Sequence, residues 1–316
     1  MQKPVRIAVI GAGRWGKNII KTLKANPRCI VTAVETRGYK KLLKKKDVDA
    51  IVIATPGSTH AEIALPFVKR GLSVFIEKPF TLRVADAKVL LATAKKSGSR
   101  LCIGHVQLYN PAYQKTKELS KKIGAIRFLY GEGANNGPYR DDMSAIWDWA
   151  PHDVAAMCDL MGKRPTTVRA WGTALLRPKT KLYDAGFIEL TFSSGVIGFI
   201  FNSWLFPEKR KSLTVVGTKS SIVFDDAAEK KIVLYKGMGP TVRTSRKIPR
   251  IIQKNPSVSH PDYASTLPLT EEMDSFVTMV TSKTKQKNNH KEALDVIEII
   301  AAAEQSIEGG GSVVRI

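Results

Sequence analysis

The chain has 316 residues, long enough for two domains, and 43% of them are hydrophobic, ample for a packed core. Lys and Arg number 50 against 28 Asp and Glu, a formal charge of +22 that could serve nucleic acid, an anionic membrane surface or small anionic ligands. The basic residues are scattered, with modest clusters at 40–46, 243–254 and 283–291, and no nucleic-acid-binding signature accompanies them, so solvated surface charge is the better reading. Cys29, Cys102 and Cys158 are far apart and odd in number, which gives neither a disulfide framework nor metal-ligand spacing; buried thiols are expected. No apolar run approaches the roughly 20 residues of a membrane span. The amino terminus goes straight into a strand without a signal-peptide core. A reducing cytoplasm is the expected location, with no metal and no membrane partner.

Val5–Ile10 reads as a short apolar strand, and Lys17–Ala25 as a helix with Ile19, Ile20 and Leu23 inward. Between them stands Gly11-Ala12-Gly13-Arg14-Trp15-Gly16. In that setting each glycine answers a separate steric demand. The first permits a tight turn, the second lets backbone approach a pyrophosphate, and the third lets helix pack closely on strand. The helix amino terminus offers free N–H groups to phosphates. A second strand, Ile30–Val34, ends at Glu35-Thr36-Arg37. An acid about 20 residues past the glycines binds a ribose 2′-hydroxyl. Glu35 fits that place, but Thr36 could occupy it with Arg37 facing a 2′-phosphate, so NAD and NADP both stay open. Glu35 and Arg37 pairing in solvent is the plain alternative.

Gly38–Lys46 has room for a short helix and little else before the strand Ala50–Ala54, so the adenine side is abbreviated. Thr55-Pro56-Gly57-Ser58-Thr59-His60 is a turn-rich loop, followed by a helix at Ala61–Arg70. His60 either approaches the cofactor or packs the helix start. Val74-Phe75-Ile76-Glu77-Lys78-Pro79-Phe80 is a buried parallel strand stopped by proline. Ligands sit beyond the carboxyl ends of such strands, so Lys78 lies where a ligand would be; otherwise Glu77 and Lys78 are a solvated strand end. A helix at Arg83–Lys96 and a strand at Arg100–Ile103 complete a nucleotide-binding α/β pattern.

After a helix at Ala112–Lys122 the pattern changes to short strands with tight turns: Ile126–Tyr130, Thr167–Trp171, Gly186–Phe192, Val196–Trp204, Leu213–Val216, Ile222–Phe224 and Ile232–Tyr235. They predict an antiparallel sheet, best covered by a helix at Pro151–Met161. Pro240–Thr266 reads as a long loop, and helices at Leu269–Thr281 and Lys291–Ile307 close the chain. In Trp147-Asp148-Trp149-Ala150-Pro151-His152, Pro151 suits the first helical position. That would put His152 in the first turn, where the helix dipole helps keep imidazole neutral, with Asp148 placed to orient it. Helix capping is the plain alternative for His152 and Asp153.

Together these stretches resemble the glucose–fructose oxidoreductase/inositol dehydrogenase/MocA family over nearly the whole chain. The marks are Gly11-x-Gly13-x-x-Gly16, Ala54-Thr55-Pro56-x-x-x-His60, Glu77-Lys78-Pro79 and Asp148-x-x-x-His152. The resemblance implies a Rossmann domain at 1–120, here shorter than the family pattern after its second strand, then an α+β domain at 121–316 with an open, mainly antiparallel sheet. It implies NAD(P)-dependent hydride transfer at a hydroxyl or keto carbon of a sugar, nucleotide sugar or polyol. It carries catalytic lysine, aspartate and histidine onto Lys78, Asp148 and His152. The stretches 202–210 and 147–152 together resemble the branch found in surface-sugar and nucleotide-sugar pathways. The expected dinucleotide contacts are Gly11, Gly13, Arg14, Trp15, Gly16, Glu35, Thr36, Arg37, Thr55, Pro56, His60, Glu77, Lys78 and Pro79. Candidate substrate contacts are Tyr109, Asn135, Asn136, Arg140, Trp204, Lys209 and Arg210, although Asn135-Asn136-Gly137 also reads as a plain turn. The resemblance, with its open sheet, also implies a homo-oligomer, dimer or tetramer. Two other readings are a non-catalytic dinucleotide-binding or sensing protein, suggested by the short adenine side, and a polyanion-binding protein, suggested by the charge.

Overall fold

The computed structural model describes residues 3–237, 241–243, 250–252, 255–282 and 290–316. The expected basic clusters at 243–254 and 283–291 lie largely outside the described residues. By backbone contacts the chain divides into two compact units, one made of residues 1–110, 140–155 and 266–301, the other of 111–139, 156–265 and 302–316. Set beside the expected boundary at residue 120, the segments 140–155 and 266–301 group with the first unit.

The first unit is built on β1 (Val5–Ile10), β2 (Cys29–Glu35), β3 (Ala50–Ile53), β4 (Ser73–Glu77) and β5 (Leu101–Gly104). They form one parallel sheet in the order β2-β1-β3-β4-β5. Residues of β1, β3, β4 and β5 are almost wholly buried, as apolar runs covered on both faces must be. One face, through Ile7, Val9, Val52 and Phe75, packs on α1 (Arg14–Ala25) and α6 (Pro268–Thr281). Phe276 of α6 meets Phe75 edge-on at 5.6 Å between ring centres. The chain from β2 to β3 carries only a 3₁₀ helix, Tyr39–Lys44, in place of a crossover helix. α1 therefore lacks a sequence neighbour on that face, and α6 supplies the missing apolar cover, which is why 266–301 belongs to this unit. Helices α2 (His60–Lys69) and α3 (Val84–Ser97) bury Ile63, Phe67, Val68 and Leu90.

The second unit holds α4 (Pro111–Ser120) and a nine-stranded sheet. Its strands are β6 (Ile126–Asn136), β7 (Thr167–Thr173), β8 (Ala185–Thr191), β9 (Ile197–Ser203), β10 (Leu205–Gly217), β11 (Ser220–Asp225) and β12 (Ile232–Lys236). The pair β13 (Thr241–Arg243) and β14 (Arg250–Ile252) stands apart, and β15 (Ser257–Ser259) and β16 (Val314–Arg315) edge the large sheet. Part of the stretch read as a long loop is thus strand. The sheet is mainly antiparallel, but β6 and β9 run parallel. Leu129, Ile188, Leu190, Ile200 and Val168 point to the buried face. Their neighbours along each strand point to the opposite face, where Phe128, Phe199, Phe187 and Trp171 are 41%, 41%, 54% and 45% exposed.

Two further helices are α5 (Ala145–Met161) and α7 (His290–Glu308). α5 begins one and a half turns before the expected start, so Pro151 lies inside it. Ser144 is the reason: its Oγ accepts the Trp147 N–H (3.3 Å) and its carbonyl the Asp148 N–H (3.1 Å), a hydroxyl cap that outranks proline as a start signal. No helix among the described residues is long and apolar enough to cross a membrane. The three thiols are free, Cys29 and Cys102 buried as expected, while Cys158 is only half-buried.

Candidate functional site

Because the first sheet is all parallel, its strands deliver their carboxyl ends, and the loops that follow, to one edge. Residues 11–16 follow β1, 55–60 follow β3, 77–79 close β4, and His105 follows β5.

Gly11 has φ +101°, and its N–H donates to the Glu35 carbonyl at 2.8 Å. A Cβ at Gly11 would collide with the Ala54 carbonyl, and one at Gly16 with the Gly11 carbonyl. A Cβ at Gly13, by contrast, would meet nothing within 4 Å. The turn is therefore closed at its ends and open in the middle, toward the amino terminus of α1. That terminus has no side-chain cap and no acid in its first turn. Unclaimed helix N–H groups beside open backbone fit a pyrophosphate, so the residues present suit a dinucleotide. Arg14 and Trp15 open α1, both exposed.

Trp15 makes a contact that sequence spacing could not reveal. Its Nε1–H donates to Glu77 Oε1 at 2.5 Å, tying the glycine turn to the end of β4. Glu77 also accepts the Lys78 N–H at 3.1 Å. Burial pushes its carboxyl up from 4.5 to about 7, against the opposing pull of the Trp15 hydrogen bond and the Lys78 charge. Glu35, at the end of β2, is met by Lys41 Nζ at 2.9 Å, while Thr36 and Arg37 are exposed.

His60 is wholly buried, and its ring nitrogens lie 2.8 Å from the Pro79 carbonyl and 2.9 Å from that of Thr55. A neutral ring donates to only one of these carbonyls: from Nδ1 it ties the start of α2 to the end of β4, from Nε2 it closes the loop after β3. Burial holds its pKa below the ordinary value, although both carbonyls favour the charged ring. Of the two roles open to it, packing is the one observed. Pro56 is exposed and Pro79 buried, joined to Lys78 by a cis peptide.

Lys78 Nζ bonds Asp148 twice, at 2.8 Å to Oδ1 and 2.7 Å to the backbone carbonyl. Arg140 Nε lies 3.1 Å from the same Oδ1. Asp148 is 5% exposed. Burial alone would raise its carboxyl, but Lys78 and Arg140 outweigh that and hold it well below the usual carboxylate range. Asp148 sits in the first turn of α5, where a helix favours negative charge. His152 follows by four residues, which sets both side chains on one helix face. His152 is not in the first turn, so the expected dipole effect on its ring does not apply. Pro151 removes an N–H from the ladder beside them. Lys78, Arg140, Asp148 and His152 all belong to the first unit. By backbone contacts the lysine and the histidine thus group together, where the expected boundary at residue 120 set them in separate domains.

Sequence reasoning also passed over a buried polar group in this unit. His105, 2% exposed, is pushed down to about 4 by burial and by Lys78. Glu272 of α6, 0% exposed, is pushed well up by burial and then by the Glu77 charge. Tyr109 donates to Ser275 Oγ at 3.5 Å, and burial raises its phenol. Asp142 accepts from the Ser58 N–H and hydroxyl at 3.3 and 3.2 Å, fixing the loop after β3.

The remaining candidates lie in the second unit. Asn136 is exposed and accepts the Tyr139 hydroxyl at 2.7 Å, while Asn135 is half-buried. Lys209 and Arg210 are exposed on β10, Arg210 paired with Glu208 at 2.8 Å. Trp204 is fully buried, its ring edge-on to Tyr139 at 6.4 Å.

Two family models match the chain in succession. The GFO_IDH_MocA model, an oxidoreductase family with an NAD-binding Rossmann fold, matches residues 31–105. The GFO/IDH/MocA C-terminal domain matches residues 113–223. The chain is 26% identical over 270 residues to scyllo-inositol 2-dehydrogenase (NAD(+)) of Bacillus subtilis strain 168, covering 76% of this chain and 79% of that protein. It is 32% identical over 170 residues to UDP-N-acetylglucosamine 3-dehydrogenase of Acidithiobacillus ferrooxidans, covering 54% and 53%. A crystal structure from Magnetospirillum magnetotacticum MS-1 superposes with a TM-score of 0.79 at 31% identity, covering 95% of this chain and 99% of that one. A parallel sheet with an open glycine turn, a mixed sheet after it and both family models in order agree: the chain belongs to the Gfo/Idh/MocA family of NAD(P)-dependent oxidoreductases.

Proposed function

We propose that the protein moves a hydride between a nicotinamide dinucleotide and a secondary hydroxyl or keto carbon of a sugar, nucleotide sugar or related polyol. The observation that carries this reading is the Lys78 ammonium held 2.8 Å from the buried Asp148 carboxylate at the end of β4, with His152 one helical turn beyond Asp148. When bound, the dinucleotide supplies the hydride chemistry; the chain supplies alignment and charge. Gly11, Gly13, Gly16 and the first N–H groups of α1 hold the pyrophosphate, with Arg14, Trp15, Thr55 and Pro56 lining its path. Glu35, Thr36 and Arg37 meet the adenosine ribose. Glu77 fixes Trp15, and Pro79 ends the strand that aims Lys78.

Lys78 hydrogen-bonds the reacting oxygen and offsets developing alkoxide charge. Asp148, pulled on by both Lys78 and Arg140, keeps the ammonium in place. His152 takes the hydroxyl proton in the oxidation direction and returns it in reduction. Tyr109, Arg140, Asn135, Asn136, Lys209 and Arg210 are the proposed substrate contacts, the cations suiting a phosphate or carboxylate. Trp204 drops from that set because it has no exposed surface.

The similarity to an inositol and a nucleotide-sugar dehydrogenase supports the substrate class. We assign the protein to a reducing cytoplasm, in keeping with three free thiols. A homo-oligomer formed by a second copy on the open sheet face accounts for the exposed aromatics. Rows Tyr130–Phe199–Glu189–Arg169 and Glu132–Phe201–Phe187–Trp171 run across β6, β9, β8 and β7. Such a face carries both signs of charge around an apolar patch and suits isologous pairing.

The test is Lys78→Ala, assayed by nicotinamide absorbance against a panel of inositols, sugars and nucleotide sugars. Turnover falls about 10²–10³-fold on the substrate that wild type accepts, with dinucleotide affinity preserved. Unchanged turnover would end the catalytic assignment of Lys78.

A further inference from the structure

The abbreviated adenine side places a lysine on the residue that decides between NAD and NADP. β2 ends at Glu35, whose carbonyl accepts the Gly11 N–H at 2.8 Å, so the acid is fixed to the start of the glycine turn. In a dinucleotide fold that is where a carboxylate receives the ribose hydroxyls. Here Lys41 Nζ lies 2.9 Å from Glu35 Oε2. The side chains differ in freedom: Glu35 is 12% exposed and Lys41 is 64% exposed.

Lys41 is presented by a built platform. Gly38, at φ +71°, turns the chain back directly after Arg37, and the 3₁₀ helix Tyr39–Lys44 follows. Leu42 is wholly buried beneath it. Tyr39 packs on Phe67 at 6.3 Å between ring centres, and its hydroxyl donates to Glu62 at 3.2 Å. Arg70 donates to the Leu43 carbonyl. The residues flanking Lys41 are thus anchored to α2 and the core, while its own side chain is open to solvent. Arg37 is exposed on the approach.

We propose that Lys41 makes this a dual-cofactor site, acting as a movable selector of the substituent at the ribose 2′ position. The inference rests on the dinucleotide-binding reading above. With NAD, Glu35 accepts the ribose hydroxyls and Lys41 swings to solvent. The pair is open to water on the Lys41 side, and the ribose hydroxyls replace the lysine on Glu35, so its loss is a small penalty, about fivefold in an equilibrium constant. With NADP, a 2′-phosphate beside a bare Glu35 would be repelled. Lys41 stays, neutralises Glu35 and shares the phosphate with Arg37. Glu35 alone would make the site NAD-selective; Lys41 removes most of that selectivity.

The experiment is calorimetric titration of the full chain and of Lys41→Ala with NADH and NADPH, with thermal unfolding as the folding control. Wild type binds the two within about tenfold of each other. Lys41→Ala weakens NADPH about ten- to a hundredfold and leaves NADH unchanged or up to about fivefold tighter. A wild-type preference beyond about a hundredfold, or equal losses for both cofactors in the variant, overturns the selector. Binding of neither dinucleotide by wild type overturns the dinucleotide reading itself, and the selector with it.

Discussion

The two sheets place their distinctive side chains differently. In the parallel sheet the glycine turn, Glu35, Glu77 and Lys78 gather along one edge, and both faces are covered. In the mixed sheet, Phe128, Phe187, Phe199 and Trp171 are spread over an open face. The reason is topological. Parallel strands all end on one side, so converging loops build a ligand edge. Strands of alternating direction divide their ends between two edges and leave a face as the continuous surface. Chemistry is therefore expected at the rim of one sheet and association on the face of the other.

Five substitutions test that contrast. The largest effect is expected from His152→Ala, which lowers turnover about 10²–10⁴-fold and flattens the pH–rate profile while dinucleotide affinity holds. A variant with the wild-type profile would remove His152 from the rim chemistry.

Glu77 comes next. Its carboxyl is raised from 4.5 to about 7 in the folded chain. The native state therefore binds this proton more tightly than the unfolded state. The resulting stabilisation is full below pH 4.5 and is lost as pH rises through 7. Across that window it amounts to about 3 kcal/mol. Glu77→Gln abolishes this part of the slope, so urea unfolding at a series of pH values shows the variant gaining on wild type as pH rises. Parallel curves for the two proteins would contradict the buried-acid reading. The raised Glu272 carboxyl adds a slope of the same sign, of which the variant keeps the larger, burial-driven part and loses the part due to the Glu77 charge.

The glycine turn gives a paired test. Gly11→Ala meets both a left-handed φ and the Ala54 carbonyl, and loses more than about 2 kcal/mol. Gly13→Ala stays within about 1 kcal/mol of wild type but binds dinucleotide weakly, because its Cβ enters the open space. If Gly13→Ala binds dinucleotide as wild type does, the open middle of the turn is not a ligand cradle.

Phe187→Asp is the mildest for the protomer, about 0.5 kcal/mol or less at a 54% exposed position. Light scattering is nonetheless expected to show the proposed homo-oligomer reduced to a smaller species, with protomer unfolding unchanged. An unaltered mass would leave the open face without its proposed role.

Much of this was legible in the chain. Five apolar runs became the five parallel strands, each within a residue or two, because a doubly covered strand must be apolar throughout. The glycine turn was readable because its spacing answers to steric demands that act over six residues. Glu77 and Lys78 were readable because proline ends a strand locally. Less visible was the start of α5, where a single Ser144 cap competed with the more conspicuous Pro151. Invisible were the contacts of Trp15 with Glu77, Lys41 with Glu35 and Lys78 with Asp148.

What the amino-acid order determined by itself was local: periodicity, turns, caps and the edge at which each loop must emerge. Those properties depend on forces between residues a few places apart. Tertiary structure alone decided that 140–155 and 266–301 complete the first unit, and that Asp148 holds Lys78 from 70 residues away. It also decided that Glu77 is a buried acid and His60 a staple. These are matters of desolvation and of pairing at long range, and neither has a period or spacing to read until the chain has closed around the groups concerned.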